Sequence, residues 1–118
     1  EFLEKKKKIF EWYQEGLKDL KEIKLNHQSS WASVVYWAIC LELKSYNESK
    51  RDSLMQILKS KNIDSRPYFY PLSDMPMYDE CDTPITHKIH QSGLNLPSYF
   101  DITKEQVVFI CSTLKEIL

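Results

Sequence analysis

Residues 65–72 carry side chains that can bind an anionic or ring-shaped ligand at alternate positions. The segment reads Ser-Arg-Pro-Tyr-Phe-Tyr-Pro-Leu. If it lies in a strand, Arg66, Tyr68 and Tyr70 point to one face and Phe69 to the other. A guanidinium suits phosphate or carboxylate, and two phenols offer stacking and hydrogen bonds that suit a sugar or a nucleotide. On composition alone, the slightly favoured interpretation is that the two tyrosines are ordinary packing residues and that Arg66 pairs with a surface acid.

Other kinds of catalytic site find little support in the sequence. The chain has two glycines, Gly16 and Gly93, and they are far apart, so no glycine-rich turn can cradle a phosphate. No lysine stands in a setting that predicts burial and a lowered pKa, as a Schiff-base nucleophile requires. No serine or cysteine lies in a nucleophile elbow. We therefore expect no catalytic residue within this chain.

Metal and disulfide chemistry are also disfavoured. His87 and His90 are three residues apart on a predicted helix, but no acidic residue follows at a matching spacing, so both are expected at the surface and no metal site is predicted. The three cysteines are odd in number and widely spaced, which argues against a disulfide framework and a structural zinc site and favours a reducing, cytoplasmic setting.

Composition bounds the remaining possibilities. The chain has 118 residues, enough for one domain, and a formal net charge of −1. A nucleic-acid partner is disfavoured because phosphate binding needs a basic excess, and the lysines at 5–8 are expected to form a solvated stretch of helix. No apolar run is long enough for a membrane span, and no signal peptide is visible, so no membrane partner is predicted.

Hydrophobic periodicity predicts an α+β fold, with a small, mainly antiparallel sheet and helices packed on one face. Helices are predicted over residues 2–20, 50–61 and 84–92, and after Thr103, which forms a capping box with Gln106. The last helix is predicted to carry one apolar stripe, formed by Val107, Ile110, Cys111, Leu114 and Ile117. Ser49 is expected to cap the second helix, with Leu54, Met55, Ile57 and Leu58 facing inward, and Asn62 to end it. Strands are predicted over residues 23–25, 34–41, 63–70 and 94–96. Pro67 cannot donate to a ladder, so its strand is expected at a sheet edge.

The run from residue 63 to 72, followed by Pro76 and Tyr78, resembles the C-terminal signature of the DegT/DnrJ/EryC1/StrS aminotransferases. Arg51 near the start of its helix, Leu-Asn-Leu-Pro at 94–97 and the helix after Thr103 match the family's order. The similarity covers essentially the whole chain, and the run is most similar to the GDP-perosamine synthase group. One position departs from the family's pattern, because Ser73 stands where many members have histidine. This difference bears on the substrate contact that the loop makes and on which sugar is accepted.

The resemblance implies that residues 1–118 are the C-terminal small domain of a fold-type I enzyme. Such an enzyme uses pyridoxal phosphate (PLP) to transfer an amino group, usually from glutamate, to a 4-keto-6-deoxy sugar nucleotide. The cofactor lysine and phosphate contacts would lie in a large domain outside this chain. Residues 1–118 alone would then bind no cofactor and be inactive. The resemblance also implies substrate contacts from Tyr68, Tyr70 and, less directly, Arg66, and a homodimer with active sites between subunits.

Two alternatives stay open at this stage. A free-standing interaction module could use Trp12, Trp31 and Trp37 as interface anchors, although core packing is the preferred interpretation of these tryptophans. A sugar dehydratase on the same fold would differ in the large domain, where histidine can replace the cofactor lysine. If a parent domain is missing, an apolar face should be exposed and the chain should self-associate.

Overall fold

The computed structural model describes residues 1–118 and has the predicted order of elements. The helices are α1 (Phe2–Leu17), α2 (Glu48–Ser60), α3 (Pro84–Ser92) and α4 (Lys104–Ile117). The strands are β1 (Ile23–Leu25), β2 (Ile39–Leu43), β3 (Arg66–Pro67) and β4 (Gly93–Leu96). A 3-10 turn at Leu72–Asp74 lies in the long loop between β3 and α3. None of these helices has the length and apolar character needed to cross a bilayer.

The four strands form one antiparallel sheet in the order β1-β2-β4-β3. Leu41 of β2 stands opposite Leu94 of β4, and Ile39 stands opposite Leu96. Residues that face each other across an antiparallel pair point to the same side of the sheet, so these four side chains line one face, here called the core face. The other side, here called the open face, carries Cys40, Asn95 and Arg66, which are also aligned across the strands.

Helices α1, α2 and α4 bury their apolar stripes with the core face in a single cluster. The α4 stripe that the sequence predicts is buried, with Val107 and Leu114 fully so. Helix α3 adds no residue to this cluster. The α+β class with a small antiparallel sheet is therefore confirmed.

Local signals at the helix ends are confirmed in part. Thr103 and Gln106 form the reciprocal capping box, and Asn62 ends the turn after α2 with a φ of 60°. Helix α1 ends at Leu17 rather than at residue 20. The N-cap of α2 is Asn47, whose side chain accepts from the backbone N–H of Lys50, so the prediction of Ser49 was wrong. Ile57 is 42% exposed rather than inward, because the buried face of α2 is the one that carries Leu54 and Leu58.

The second strand was predicted over residues 34–41 and instead runs from Ile39 to Leu43. Four side-chain hydrogen bonds explain the shift. Asn26 donates to the Ala38 carbonyl and accepts from the Cys40 N–H, which fixes where pairing begins. The Trp37 carbonyl accepts from the side chains of Lys6 and Ser98 rather than from a neighbouring strand. The β-branched residues before Ile39 thus form an extended loop.

Strand β3 is also shorter than the predicted span of residues 63–70. Its ladder with β4 covers Arg66 and Pro67, and one further bond runs from the Tyr68 N–H to the Gly93 carbonyl at 3.1 Å. The strand pairs on one side only, which confirms the edge position that Pro67 predicts. Beyond Tyr68 the chain leaves the sheet.

Candidate functional site

The strand register brings Arg66 and Tyr68 to the open face, as alternation predicts. They nevertheless line separate hollows. Arg66 borders a hollow of about 610 Å³ toward α4, and its Nε lies 3.9 Å from Asp64 Oδ2. Tyr68 borders a second hollow, and Tyr70, beyond the strand, is exposed with its ring centroid 4.9 Å from that of His90. The three predicted side chains therefore do not converge on one pocket.

The second hollow, here called the aromatic hollow, has a volume of about 350 Å³ and opens on the open face. Trp37 and Phe69 form its rim, with their rings nearly parallel and their centroids 6.2 Å apart. Trp37 is 64% exposed and Trp31 more so, which means that core packing was the wrong interpretation of these two tryptophans, whereas Trp12 does pack against the core. The hollow is lined by Trp37, Ala38, Cys40, Tyr68, Phe69, Thr86, Ile89, His90 and Asn95.

The polar groups at the base of the aromatic hollow are uncharged. The Cys40 thiol donates to Asn95 Oδ1 at 3.4 Å. Burial raises the pKa of Cys40, and burial, with smaller effects of Cys40 and Glu42, raises the pKa of Tyr68. The thiol and the phenol are thus protonated at neutral pH. Neutral hydroxyl, thiol and amide groups beside aromatic rings are suited to a neutral polyol such as a sugar.

Gly93 lets the Tyr68 ring lie flat against β4. A methyl group at Gly93 would overlap the ring carbons of Tyr68. The φ of Gly93 is −104°, so α3 passes directly into β4 without a left-handed residue, and it is the missing Cβ that the site requires. The missing side chain at Gly93, the first residue of β4, thus leaves the space that the Tyr68 ring occupies.

His90 is buried, 8% exposed, so the prediction of a surface histidine was wrong for this residue. Its Nδ1 lies 3.0 Å from the carbonyl oxygens of both Tyr68 and Phe69. Its own carbonyl accepts from Arg51 Nη1 at 2.6 Å. His90 therefore joins α2 and α3 to the segment that leaves β3.

His87, one turn earlier on α3, ties the 3-10 turn to the helix. Its Nε2 lies 2.8 Å from Asp74 Oδ1, and its Nδ1 lies 2.8 Å from the Thr83 carbonyl. The Thr83 carbonyl, and then Asp74, raise the pKa of His87. Ser73 joins the same cluster through Thr83, with 2.9 Å between the two hydroxyl oxygens. No group of three or more His, Cys, Asp or Glu side chains is arranged to hold a metal ion.

The described residues do not fit a PLP site. Gly16 is packed against Cys111, and Gly93 lies under Tyr68, so neither belongs to a phosphate cradle. Lys6 is buried and burial lowers its pKa, which corrects the expectation that all four lysines at 5–8 are solvated and that no lysine is buried. Its ammonium donates to the Trp37 and Ser98 carbonyls, so it serves as a tie between α1 and two loops.

The hollow contains four residues that were not predicted as site residues, namely Trp37, Phe69, His90 and Asn95. Phe69 was placed on the opposite face from Tyr68, which would hold only if the strand continued. Asn95 could have been predicted from the sequence, because an amide side chain between Leu94 and Leu96 is unexpected in a strand. The other three have no comparable local signal.

Comparison with known proteins supplies the family. GDP-perosamine synthase of Escherichia coli O157:H7 is 31% identical over 118 residues, which are 98% of this chain and 31% of that protein. The dTDP-4-amino-4,6-dideoxy-D-glucose transaminase of Escherichia coli is 42% identical over 71 residues, 54% of this chain and 19% of that protein.

Among solved structures, Spr1654 from Streptococcus pneumoniae in its PMP form superposes with a TM-score of 0.86 at 19% identity, over 98% of this chain and 30% of that one. The chain thus spans about a third or less of the length of these proteins. The profile of the DegT/DnrJ/EryC1/StrS aminotransferase family matches residues 1–115. The resemblance seen in the sequence is therefore confirmed, and the chain belongs to the DegT/DnrJ/EryC1/StrS aminotransferase family.

Proposed function

We propose that the chain is the C-terminal small domain of a PLP-dependent aminotransferase that converts a 4-keto-6-deoxy sugar nucleotide into the corresponding amino sugar. The observation that carries this proposal is the 31% identity along nearly the whole chain to a protein named GDP-perosamine synthase. Glutamate is the amino donor, and it becomes 2-oxoglutarate as the keto carbon becomes an amine-bearing carbon. PLP, held by residues outside this chain, supplies the electron sink.

Within that enzyme the chain binds and orients substrate. Tyr68 and the aromatic hollow receive the sugar, because the hollow combines ring surfaces with uncharged hydrogen-bonding groups. Tyr70 is exposed and extends the same surface. Arg66 is exposed and has one distant acidic neighbour, so its guanidinium is available to the diphosphate. No proton-transfer role falls to these three residues.

The whole enzyme works as a homodimer in the cytoplasm. The three cysteines of this chain are unpaired, which suits a reducing compartment. Large apolar side chains are exposed in the loop before β2 and in the segment after β3, which suits coverage by the rest of the protein or by a second subunit. They are Trp31, Val35, Trp37, Phe69, Leu72 and Met77. By resemblance, its product serves the O-antigen of lipopolysaccharide.

The test uses the full-length protein that contains this chain. We expect the visible absorbance of bound PLP, and release of 2-oxoglutarate from glutamate when a GDP- or dTDP-linked 4-keto-6-deoxy hexose is added. The 118-residue chain alone should give neither signal. If the protein binds PLP and removes a sugar hydroxyl without transferring an amino group, the dehydratase is favoured. If it neither binds PLP nor transaminates, the proposal is contradicted.

A matched variant tests the role of the hollow. Tyr68→Phe keeps the ring on Gly93 and removes the hydroxyl, so the KM for the keto sugar should rise by about 10-fold, as expected for one lost hydrogen bond of about 1.4 kcal/mol. The KM for glutamate should not change. An equal rise in both constants would count against a sugar contact.

A further inference from the structure

We infer that His90 is a positioning residue that fixes the backbone of Tyr68 and Phe69 and thereby sets the shape of the aromatic hollow for the sugar. This inference rests on the proposed function, because it deepens the role of the same hollow. It concerns a side chain that makes its decisive contacts with backbone carbonyls. The effect of His90 on substrate is therefore exerted through Tyr68 and Phe69.

The contacts of His90 assign its ring proton. Both atoms near Nδ1 are carbonyl oxygens, each 3.0 Å away, and carbonyl oxygens can only accept. Nδ1 therefore carries the proton and shares it between the two acceptors. This bond replaces the sheet ladder, whose last rung is the Tyr68 N–H bond to Gly93. Without it, two carbonyls beside a buried imidazole would lose their donor at the point where the chain leaves the sheet.

His90 is itself held in place by Arg51. The Arg51 side chain is 3% exposed and donates to the His90 carbonyl at 2.6 Å. Glu48 and Asp52, both near the start of α2, orient the guanidinium, with ion-pair distances of 3.2 and 2.8 Å. The Tyr70 ring lies beside the imidazole, with 4.9 Å between the two ring centroids. A buried side chain with fixed neighbours can transmit a fixed geometry, which a surface histidine cannot.

The consequence for the site is specific to the sugar substrate. Tyr68 and Phe69 form two walls of the hollow, and Phe69 reaches its rim only because the chain turns after Tyr68. A displacement of about 1 Å in a substrate-positioning segment can lower the rate by about 100-fold. Loss of the Nδ1 donor should therefore weaken use of the sugar nucleotide while leaving the amino donor unaffected.

Three variants of the full-length protein separate positioning from simple packing. In His90→Asn, Nδ2 is bonded to Cγ as Nδ1 is in histidine, so a donor remains near the same position. In His90→Gln the donor moves one bond further out, and in His90→Ala it is lost. We expect kcat/KM for a GDP- or dTDP-linked 4-keto-6-deoxy hexose to fall about 10- to 100-fold in His90→Ala and His90→Gln. In His90→Asn it should stay within about 3-fold of wild type, and kcat/KM for glutamate should stay constant in all three.

Hydrogen exchange gives a readout that does not depend on activity. The Tyr68 amide, the last rung of the β3–β4 ladder, should exchange faster in His90→Ala and His90→Gln than in wild type, and at the wild-type rate in His90→Asn. Equal changes in all three variants, or none in any, would overturn the positioning role. If the wild-type protein transaminates no keto sugar nucleotide, the proposed function fails, and the exchange rates alone decide the claim about His90.

Discussion

The two faces of the sheet are built from different kinds of side chain, although the same strands supply both. On the core face, Leu41 and Leu94 are opposite each other and fully buried. On the open face, the adjacent pair is Cys40 and Asn95, and both are only partly covered. The core face is continuous with three helices, whereas the open face ends in a hollow with exposed aromatic rings.

This difference separates stability from surface shape. Burial of apolar area is non-directional, so the core face stabilises the fold with little dependence on any one contact angle. The open face depends on directed contacts, such as the thiol-to-amide bond of Cys40 and the carbonyl bonds of His90. Changes on the open face should therefore alter geometry more than folding free energy.

The largest expected effect is loss of stability on the core face. Leu41→Ala removes a fully buried side chain and leaves a cavity beside Leu94, so the free energy of unfolding should fall by about 3 kcal/mol. Trp37→Ala is the matched change on the rim of the hollow and should cost less than about 1 kcal/mol. Urea denaturation measures both. A cost for Trp37→Ala as large as that for Leu41→Ala would erase the distinction between the faces.

The two glycines allow a second, smaller test. A Cβ at Gly16 would lie 2.5 Å from Cys111 Sγ between α1 and α4, where neither helix can move freely. Gly16→Ala should lower the free energy of unfolding by about 1–2 kcal/mol, because overpacking outweighs the better helix propensity of alanine. Denaturation would measure this loss, and a neutral result would contradict the rigid contact.

Gly93→Ala should behave differently, because the Tyr68 ring can swing into the open hollow. We expect a smaller loss of unfolding free energy than for Gly16→Ala. The ring would also lose its cover, so the pKa of Tyr68, which burial raises, should move down toward its ordinary value. Absorbance titration of the phenols would detect the change. A larger loss of stability than in Gly16→Ala would show that the open face is as tightly packed as the core.

The same division explains what the sequence could predict. The α4 stripe and the Thr103 capping box were predictable because each depends on residues within a few positions of one another. The start of β2 was not, because it depends on Asn26, which contacts Cys40 across 14 positions. A run of β-branched residues indicates a strand locally, but the available hydrogen-bond partners decide where pairing begins.

The candidate site was predictable where strand alternation held and unpredictable where it ended. Alternation placed Arg66 and Tyr68 on one face, and the register agrees. His90 was missed because its partners, the carbonyls of Tyr68 and Phe69, lie 22 and 21 positions earlier. A polar residue on a helix is usually at the surface. Only the tertiary fold brings the carbonyls of Tyr68 and Phe69 within hydrogen-bond distance of His90.

The smallest expected effect concerns pH and is confined to the long loop between β3 and α3. Both His87 nitrogens face acceptors, the Thr83 carbonyl and the Asp74 carboxylate, so the folded state favours the imidazolium and the pKa of His87 is raised. A pKa raised on folding means that this stabilisation is complete below the ordinary value of about 6.5 and is lost as the pH rises through the folded value. The 3-10 turn at Leu72–Asp74 should then loosen from α3, while the core face stays unchanged.

Asp74→Asn sharpens this test, because the two causes of the shift are unequal. The Thr83 carbonyl is the larger cause and remains in the variant, so the pKa of His87 should fall only part of the way toward its ordinary value. NMR titration of the His87 ring protons would follow it. A drop to the ordinary value would show that the carboxylate alone holds the charge, and no drop would show that the 2.8 Å contact does not persist in solution. A partial drop would mean that the Thr83 carbonyl raises the pKa of His87 without help from the carboxylate.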